Sequence, residues 1–270
     1  MSVSTYSGQL SVFSIGGGSQ LEFIETGQVE FNEDHREGAP ASRFGGNTQG
    51  TKKSCRLTAS LFSDSSTDIR VSHLGLSAAT LGAVNLLTLG VSSLTFVNQM
   101  KHRMKPGAGE LWAYPIVTDG FLTGQVEVGI LSASVPQLLL DMFSSTYGDL
   151  NKTLDFTIGG VQIQVPLRAG SMNIGIEKDG LQMFSISLDD RSARAGVTVL
   201  PSGTTTLLEK SINQPKTALA FSFTGKAATS FNIAGNMVWD RYELQIRDNE
   251  LVPSSLSFLS QGAWTSTSVP

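Results

Sequence analysis

The chain has 270 residues, enough for one large or two small domains, and it can bury a core without help from a metal or a disulfide. Hydrophobic residues make up 40% and charged residues only 16%, against about 25% charged in a typical soluble domain. The net charge of −4 argues against a generally basic nucleic-acid-binding face, and the single cysteine, Cys55, excludes an intrachain disulfide and fits an intracellular origin. Abundant Gly, with Ser and Thr recurring throughout, favours strands joined by turns. Such a sparsely charged surface suits a protein that is covered by neighbours.

Taken in chain order, the N-terminus MSVSTYSGQLSVFSIGGG lacks a basic region followed by an apolar block, so no secretory leader is expected. Gln9 to Ser14 alternates loosely, Gly16-Gly17-Gly18 breaks it, and Leu21 to Ile24 resumes. Gln28-Val29-Glu30-Phe31 alternates polar and apolar residues, as a strand with one wet face does. Residues 32 to 53 hold almost no apolar side chains and read as a long loop, a feature that usually has a function. Ser54 to Phe62 returns to strand character.

Val71 to Met100 contains no Asp, Glu, Lys or Arg, yet polar residues and Gly75, Gly82 and Gly90 interrupt it too often for a membrane span. The spacing of Leu74, Leu76, Leu81, Val84, Leu86, Leu87 and Leu89 predicts a buried helix within 71–90, followed by a core strand, Val91 to Val97. Leu111 to Val117 and Phe121 to Ile130 read as strands around a Thr118-Asp119-Gly120 turn. Pro136 to Tyr147 has the strongest helix signals, with Ser134 before it and Gly148 after it.

The second half reads as β. Gly159-Gly160 joins Leu154–Ile158 to Val161–Val165 as a hairpin, and residues 177–180 join Met172–Ile176 to Leu181–Leu188. Leu219–Phe223, Phe231–Ile233 and Met237–Ile246 continue the series, and the Ser/Thr-rich tail after Pro253 reads as an arm. Strands at this spacing predict a mainly β fold, a β-sandwich or barrel with one or two short helices. Ile116–Ile130 and Gly235–Ile246 hint at a duplication, with domains over 1–134 and 135–270, or a single continuous domain.

Chemistry is sparse. Only His35, His73 and His102 could act as an imidazole base, and neither a nucleophile elbow nor a phosphate-binding loop is present. The Cys and His residues are too few for a zinc site. Glu33-Asp34-His35-Arg36-Glu37 is the densest acid–base run, but neighbours on an extended chain point to opposite sides. Asp189-Asp190-Arg191 reads the same way, and Asn151-Lys152-Thr153 is an accidental glycosylation pattern without a leader. Lys101, His102, Arg103 and Lys105 form the densest basic group, read as a subunit contact or a solvated turn. Lys52, Lys53 and Arg56 around Cys55 would lower a thiol pKa, although a strand residue beside a basic loop is the simpler account. No enzymatic activity, cofactor, metal or small-molecule substrate is expected.

The order of features resembles that of phage tail tube proteins and their relatives in contractile injection machines. An extended N-terminal segment leads to an acidic strand, Gln28 to Glu33, then to a long polar loop, Gly38 to Lys53. A strand opening with Thr51-Lys52-Lys53 follows, and the closing stretch Phe221 to Ile246 looks like a tube-type strand pair. The resemblance is one of layout over about half the chain. It implies that the loop, with Arg43, Phe44, Lys52 and Lys53, reaches an adjacent subunit, and that strands of a ring form a barrel around a channel. Glu22, Glu25, Glu30 and Glu33 would then be an acidic channel lining that repels DNA phosphates.

The implied protein is a virion subunit, made in the host cytoplasm, whose partners are copies of itself and other virion proteins. DNA would pass without specific binding, and no membrane is involved. The alternatives are another virion component, such as a capsid-decorating, head–tail or baseplate adaptor protein, and a carbohydrate-binding β-sandwich. The last would need aromatic residues gathered on one face, and Trp112, Trp239 and Trp264 are scattered.

Overall fold

The structure, a computed structural model, describes residues 12–15, 19–20, 24–38, 47–61, 76–105, 111–130, 151–158, 161–176, 182–190, 197–200, 207–225, 230–247 and 254–269. The predicted helix Pro136 to Tyr147 lies outside them. In chain order the elements are β1 (Val12–Ile15), β2 (Ser19–Gln20), β3 (Ile24–Gly38), β4 (Asn47–Leu61), β5 (Leu76–Leu81) and β6 (Val84–Asn85). They continue with α1 (Leu86–Leu89), β7 (Val91–Met104), β8 (Pro115–Ile130), β9 (Asn151–Ile158), β10 (Val161–Ile176) and β11 (Gln182–Asp190). The last are β12 (Thr198–Leu200), α2 (Leu207–Asn213), β13 (Leu219–Gly225), β14 (Ser230–Arg247), β15 (Ser254–Ser260) and β16 (Thr265–Val269).

The protein is mainly β, and the named strands pair antiparallel in the order β2-β1-β13-β14-β7-β8-β11-β10-β9-β5-β6. Alternation of apolar and polar residues gives this sheet one dry face. Leu94 and Phe96 of β7, Phe184 and Ile186 of β11, Ile163 and Val165 of β10, and Leu154 and Phe156 of β9 are all buried. Each such side chain contributes about 1.5–3 kcal/mol on burial. Three strands separate β7 from β9, yet the Phe96 and Phe156 rings lie 6.4 Å apart. The sheet therefore curls around its own core. It stays open: among the described residues β2 and β6 end the path and do not pair, so the expected barrel does not close. On the inner side, α2 buries Leu207, Leu208 and Ile212, and the fully buried Asn98 of β7 donates to the Ser211 carbonyl and hydroxyl at 3.0 and 3.1 Å.

β14 ties the branches of the sheet together. Its N-terminal half pairs with β13 and β16, and its C-terminal half with β15 and β7. A bulge at Asp240 separates Trp239, opposite Phe258, from Arg241, opposite Ser257. Trp239 and Tyr242 would point to opposite faces of a regular strand. The extra residue puts both on the core side, where their rings lie 6.2 Å apart and the Trp239 ring packs 4.3 Å from Phe258. Strands from either side of residue 134 interleave through these pairings: β1 joins β13, β4 joins β15, β7 joins β14 and β8 joins β11. The described strands of both halves share one core cluster.

Four local expectations are corrected. Within 71–90, the leucine spacing yields strand β5 and only one helical turn, α1. Asn85 caps that turn by accepting from the Leu87 and Thr88 N–H groups, and Gly90, at φ 82°, ends it. Pairing with β9 holds Leu76–Leu81 extended and buries Ala79 and Leu81 alternately. The Thr118-Asp119-Gly120 turn is absent because β8 runs on along β7. Thr118 is instead the extra residue of a bulge, its hydroxyl donating to the Lys101 carbonyl at 3.2 Å. The tail after Pro253 is not an arm: β15 lies between β14 and β4, with Leu256 and Phe258 in the core. The polar stretch 32–53 is not mainly loop, since most of it forms the outer arms of β3 and β4.

Gly235 of β14 is required by packing. A Cβ there would lie 2.7 Å from the Trp264 ring, whereas one at Gly175 would meet nothing closer than Met183 Cβ at 4.0 Å. Gly235→Ala is expected to cost about 1–3 kcal/mol, as overpacked core sites do. Gly175→Ala should leave stability nearly unchanged. Urea melts of the two variants beside the parent check both expectations.

Candidate functional site

The β3–β4 hairpin is the most distinctive surface. Its two strands, 15 residues each, pair from Ile24↔Leu61 to Gly38↔Asn47. Its inner part touches the core through Cys55, Leu57 and Ala59, with Val29 packed against it. Beyond Phe31 the two arms run on with each other as principal partners, for about 20 Å at 3.3–3.4 Å per residue. Among the described residues β3 has β4 as its only strand partner, and its other edge is open among them.

Two contacts fix the base of this arm. Residues 111–113 run parallel to β4, with the Lys53 N–H donating to the Leu111 carbonyl at 2.6 Å and the Ala113 N–H to the Lys53 carbonyl at 2.7 Å. On β3, the Phe31 ring meets the edge of Trp264 at 6.0 Å, and Trp264 packs against Phe221 of β13 at 5.1 Å. The aromatic chain thus links the hairpin to the main sheet.

The sequence-singled residues fall on this hairpin unevenly. Arg43 and Phe44, in its connection, and Glu22, before β3, lie outside the described residues. Glu25 sits on β3 at a register irregularity, and Lys52 on β4 is opposite Asp34. Glu30, opposite Arg56, and Glu33, opposite Lys53, are all exposed. Glu30 and Glu33 are three positions apart on regularly paired strand, so they point to opposite faces of the hairpin. Acid is therefore present on both faces rather than gathered on one. The run Glu33 to Glu37 continues along β3 across a register shift between Asp34 and His35.

The other candidate clusters are chemically quiet. Lys101 lies over the Phe121 ring at 5.8 Å and Lys105 over Tyr114 at 5.2 Å. His102 bonds the Trp239 carbonyl through Nε2 at 2.7 Å, which makes Nε2 the donor, and its Nδ1 lies 3.7 Å from Asp240. Asp240 accepts from Ser257 Oγ at 2.9 Å and lies 3.7 Å from Arg56, so the bulged carboxylate is shared among three side chains. Ser257 bonds the carboxylate and not the imidazole, which is the wrong order for a nucleophilic relay. Asp189 lies on β11 opposite Arg168 and Thr123, and Arg191 lies outside the described residues. Among the described residues no three His, Cys, Asp or Glu side chains converge to hold a metal. No described helix is long and apolar enough to cross a membrane.

A hollow of about 340 Å³ on the wet face of β14, β7 and β8 was not foreseen from the sequence. Ser92, Ser93, Thr95, Gln125, Glu127, Gln245 and Arg247 line it. The Glu127 carboxylate accepts from Ser93 Oγ at 2.8 Å and Gln125 Nε2 at 3.1 Å. Its residues come from three separate strands, so only the register brings them together. Aromatic side chains are missing from its lining, while Trp239 is buried in the core, so neither forms a platform for sugar rings.

No family model and no curated protein matches the chain. Among solved structures it is similar to a chain described as "Virion of native gene transfer agent (GTA) particle", with 6% identity over 72% of this chain and 98% of that one. The TM-score is 0.28, and a likeness of that size carries no argument about fold or role.

Cys55 is the one thiol, and its surroundings are the reverse of activating. Burial, and secondly the Glu30 carboxylate, push it from its ordinary 9.0 up to about 12. The buried strand residue is thus the correct reading of Cys55. The folded protein keeps a proton that the unfolded chain loses between pH 9 and about 12, so stability is fully present below pH 9 and falls as pH rises through that window. Cys55→Ala is expected to flatten this part of the decline. The difference between parent and variant urea midpoints, followed across the window, measures it.

Proposed function

We propose that this chain is a non-enzymatic structural subunit of a virion, assembling with copies of itself into rings or a tube of tail-tube type that lines a channel for DNA. The observation that supports the reading best is the open edge of β3. It is 15 residues long, polar over its outer half, and has β4 as its only strand partner among the described residues. In a monomer such an edge invites uncontrolled pairing, whereas a ring uses it as a joint. The layout resemblance to tail tube proteins supports the same reading, because the hairpin occupies the place of their subunit-contacting loop.

The arm also offers acid to a channel. Glu30 and Glu33 are exposed on opposite faces, so a hairpin edge directed inward presents a carboxylate whichever face is turned to the lumen. Carboxylates repel backbone phosphates and leave no counterion-release gain for binding, so DNA slides without sticking. The subunit would be made in the host cytoplasm and reside in the virion, in contact with other virion proteins and without a membrane or small-molecule ligand.

Purified protein is expected to form rings or tubes in electron micrographs and a concentration-dependent heavy species on sedimentation. A monomer at every salt and protein concentration would overturn the reading. The assembled parent should not retain duplex DNA. Glu30→Lys with Glu33→Lys should retain it at low salt and release it as salt rises, which a filter-binding titration measures.

A further inference from the structure

The open edge of β3 cannot pair well with its own counterpart. An antiparallel pair of two β3 strands overlapping fully from Thr26 to Asp34 would set Glu30 of one copy directly opposite Glu30 of the other, and like charges across strands are unfavourable. Between Thr26 and Asp34 the strand is regularly paired, so about nine residues form a continuous edge. Phe31, in the middle of that stretch, is 51% exposed.

A second open edge has complementary properties. Pairing of β10 with β9 ends at Arg168↔Asn151, and β11 lies on the opposite side of the strand. Ala169–Ile176 therefore has one edge without a strand partner among the described residues. This segment carries no charged residue, matches the regular stretch of β3 in length, and bears Ile174 and Ile176, 54% and 77% exposed. β16 (Thr265–Val269), another strand with one strand partner among the described residues, has Thr or Ser at four of its five positions.

Resting on the assembly reading above, we propose that β3 of one copy pairs with the Ala169–Ile176 edge of β10 in the next copy, with Phe31 set against Ile174 and Ile176. An apolar strand accepts an acidic neighbour without like-charge repulsion, and the aromatic–β-branched pair covers side chains that are otherwise wet. The two edges are different surfaces, so the contact is heterologous and propagates head to tail, closing into a ring or running into a helical tube.

Two double variants test the pairing. Ile174→Asp/Ile176→Asp and Ile174→Lys/Ile176→Lys both replace the exposed isoleucines and put charges of opposite sign in their place. The Asp variant should need a concentration roughly tenfold or more above that of the Lys variant for half-assembly on sedimentation, because its carboxylates lie on the face that Phe31 shares with Glu33. That gap should shrink as salt rises. Adding Glu33→Lys to the Asp variant should restore assembly, which a misfolded Asp variant could not do. A parent that assembles while the Asp and Lys variants behave alike would overturn the edge pairing and leave the assembly reading standing. A parent that stays monomeric would overturn both.

Discussion

The single extra residue at Asp240 is the constraint on which the architecture depends. Without it, Trp239 and Tyr242 could not share a face, and the sequence Trp239-Asp240-Arg241-Tyr242 would drive a large aromatic side chain into water. The bulge moves Trp239, Tyr242, Leu244 and Ile246 to the core side, in step with Asn98, Phe96 and Leu94 of β7 across the ladder. It also turns the Asp240 carboxylate out of the apolar layer, toward Arg56, His102 and Ser257. Those partners come from β4, β7 and β15, so one polar knot holds three strands around the bend. A register error of one residue would invert the face of every side chain beyond it, which is why the bend has to be specified locally.

From this bend the hairpin acquires its independence. β15 follows β14 through the bulge and carries β4 on its outer edge, and β4 carries β3. Each step outward leaves the core further behind, so apolar residues thin out along β3 and β4 while backbone pairing continues. The Trp264 ring, seated on Gly235 and touching Phe31 and Phe221, marks the limit of side-chain packing. Past it the backbone pairing of β3 with β4 continues as far as Gly38↔Asn47, with Glu33 opposite Lys53. An arm built this way is ordered but unfinished, with its outer edge unpaired among the described residues.

The parts of the fold legible in sequence are those where one local signal decides. Gly159-Gly160 and the 177–180 turn mark their hairpins because strands of strict alternation flank them; β9 and β11 follow as read, whereas Val161–Val165 and Met172–Ile176, read as two strands, are one strand, β10. Where signals compete, pairing wins. The leucines of 71–90 satisfy a helical stripe, but Ala79 and Leu81 also satisfy an alternating one, and β9 supplies the partner. The outer hairpin is illegible for a physical reason: residues 32–38 and 47–53 are polar along both strands, so composition cannot separate them from loop. The hollow around Glu127 is hidden for another. Ser93, Gln125 and Arg247 are neighbours only through ladder register, which no spacing along the chain encodes.

The wet face of the curled sheet explains why so few charges suffice. The register aligns Gln245, Thr95, Gln125, Ser187 and Ser171 in one row across five strands, and Arg247, Ser93, Glu127, Ser185 and Asn173 in the next. Most members are hydroxyls or amides, and they bond one another: Gln125 to Ser185 at 3.1 Å, Ser171 with Ser187 at 2.8 Å. On the neighbouring strands Asp155 is held by Gln162 and Gln164 rather than left to attract a cation. Side chains already satisfied by their neighbours lose little when water is displaced from them, whereas each ion moved out of water costs several kcal/mol even after relaxation. A face of neutral, mutually bonded groups can therefore be covered at low cost, or left wet beside a polyanion without holding it. Composition, register and the open β3 edge thus point the same way: the sheet presents surfaces that are inexpensive to bury and an edge that gains hydrogen bonds when buried.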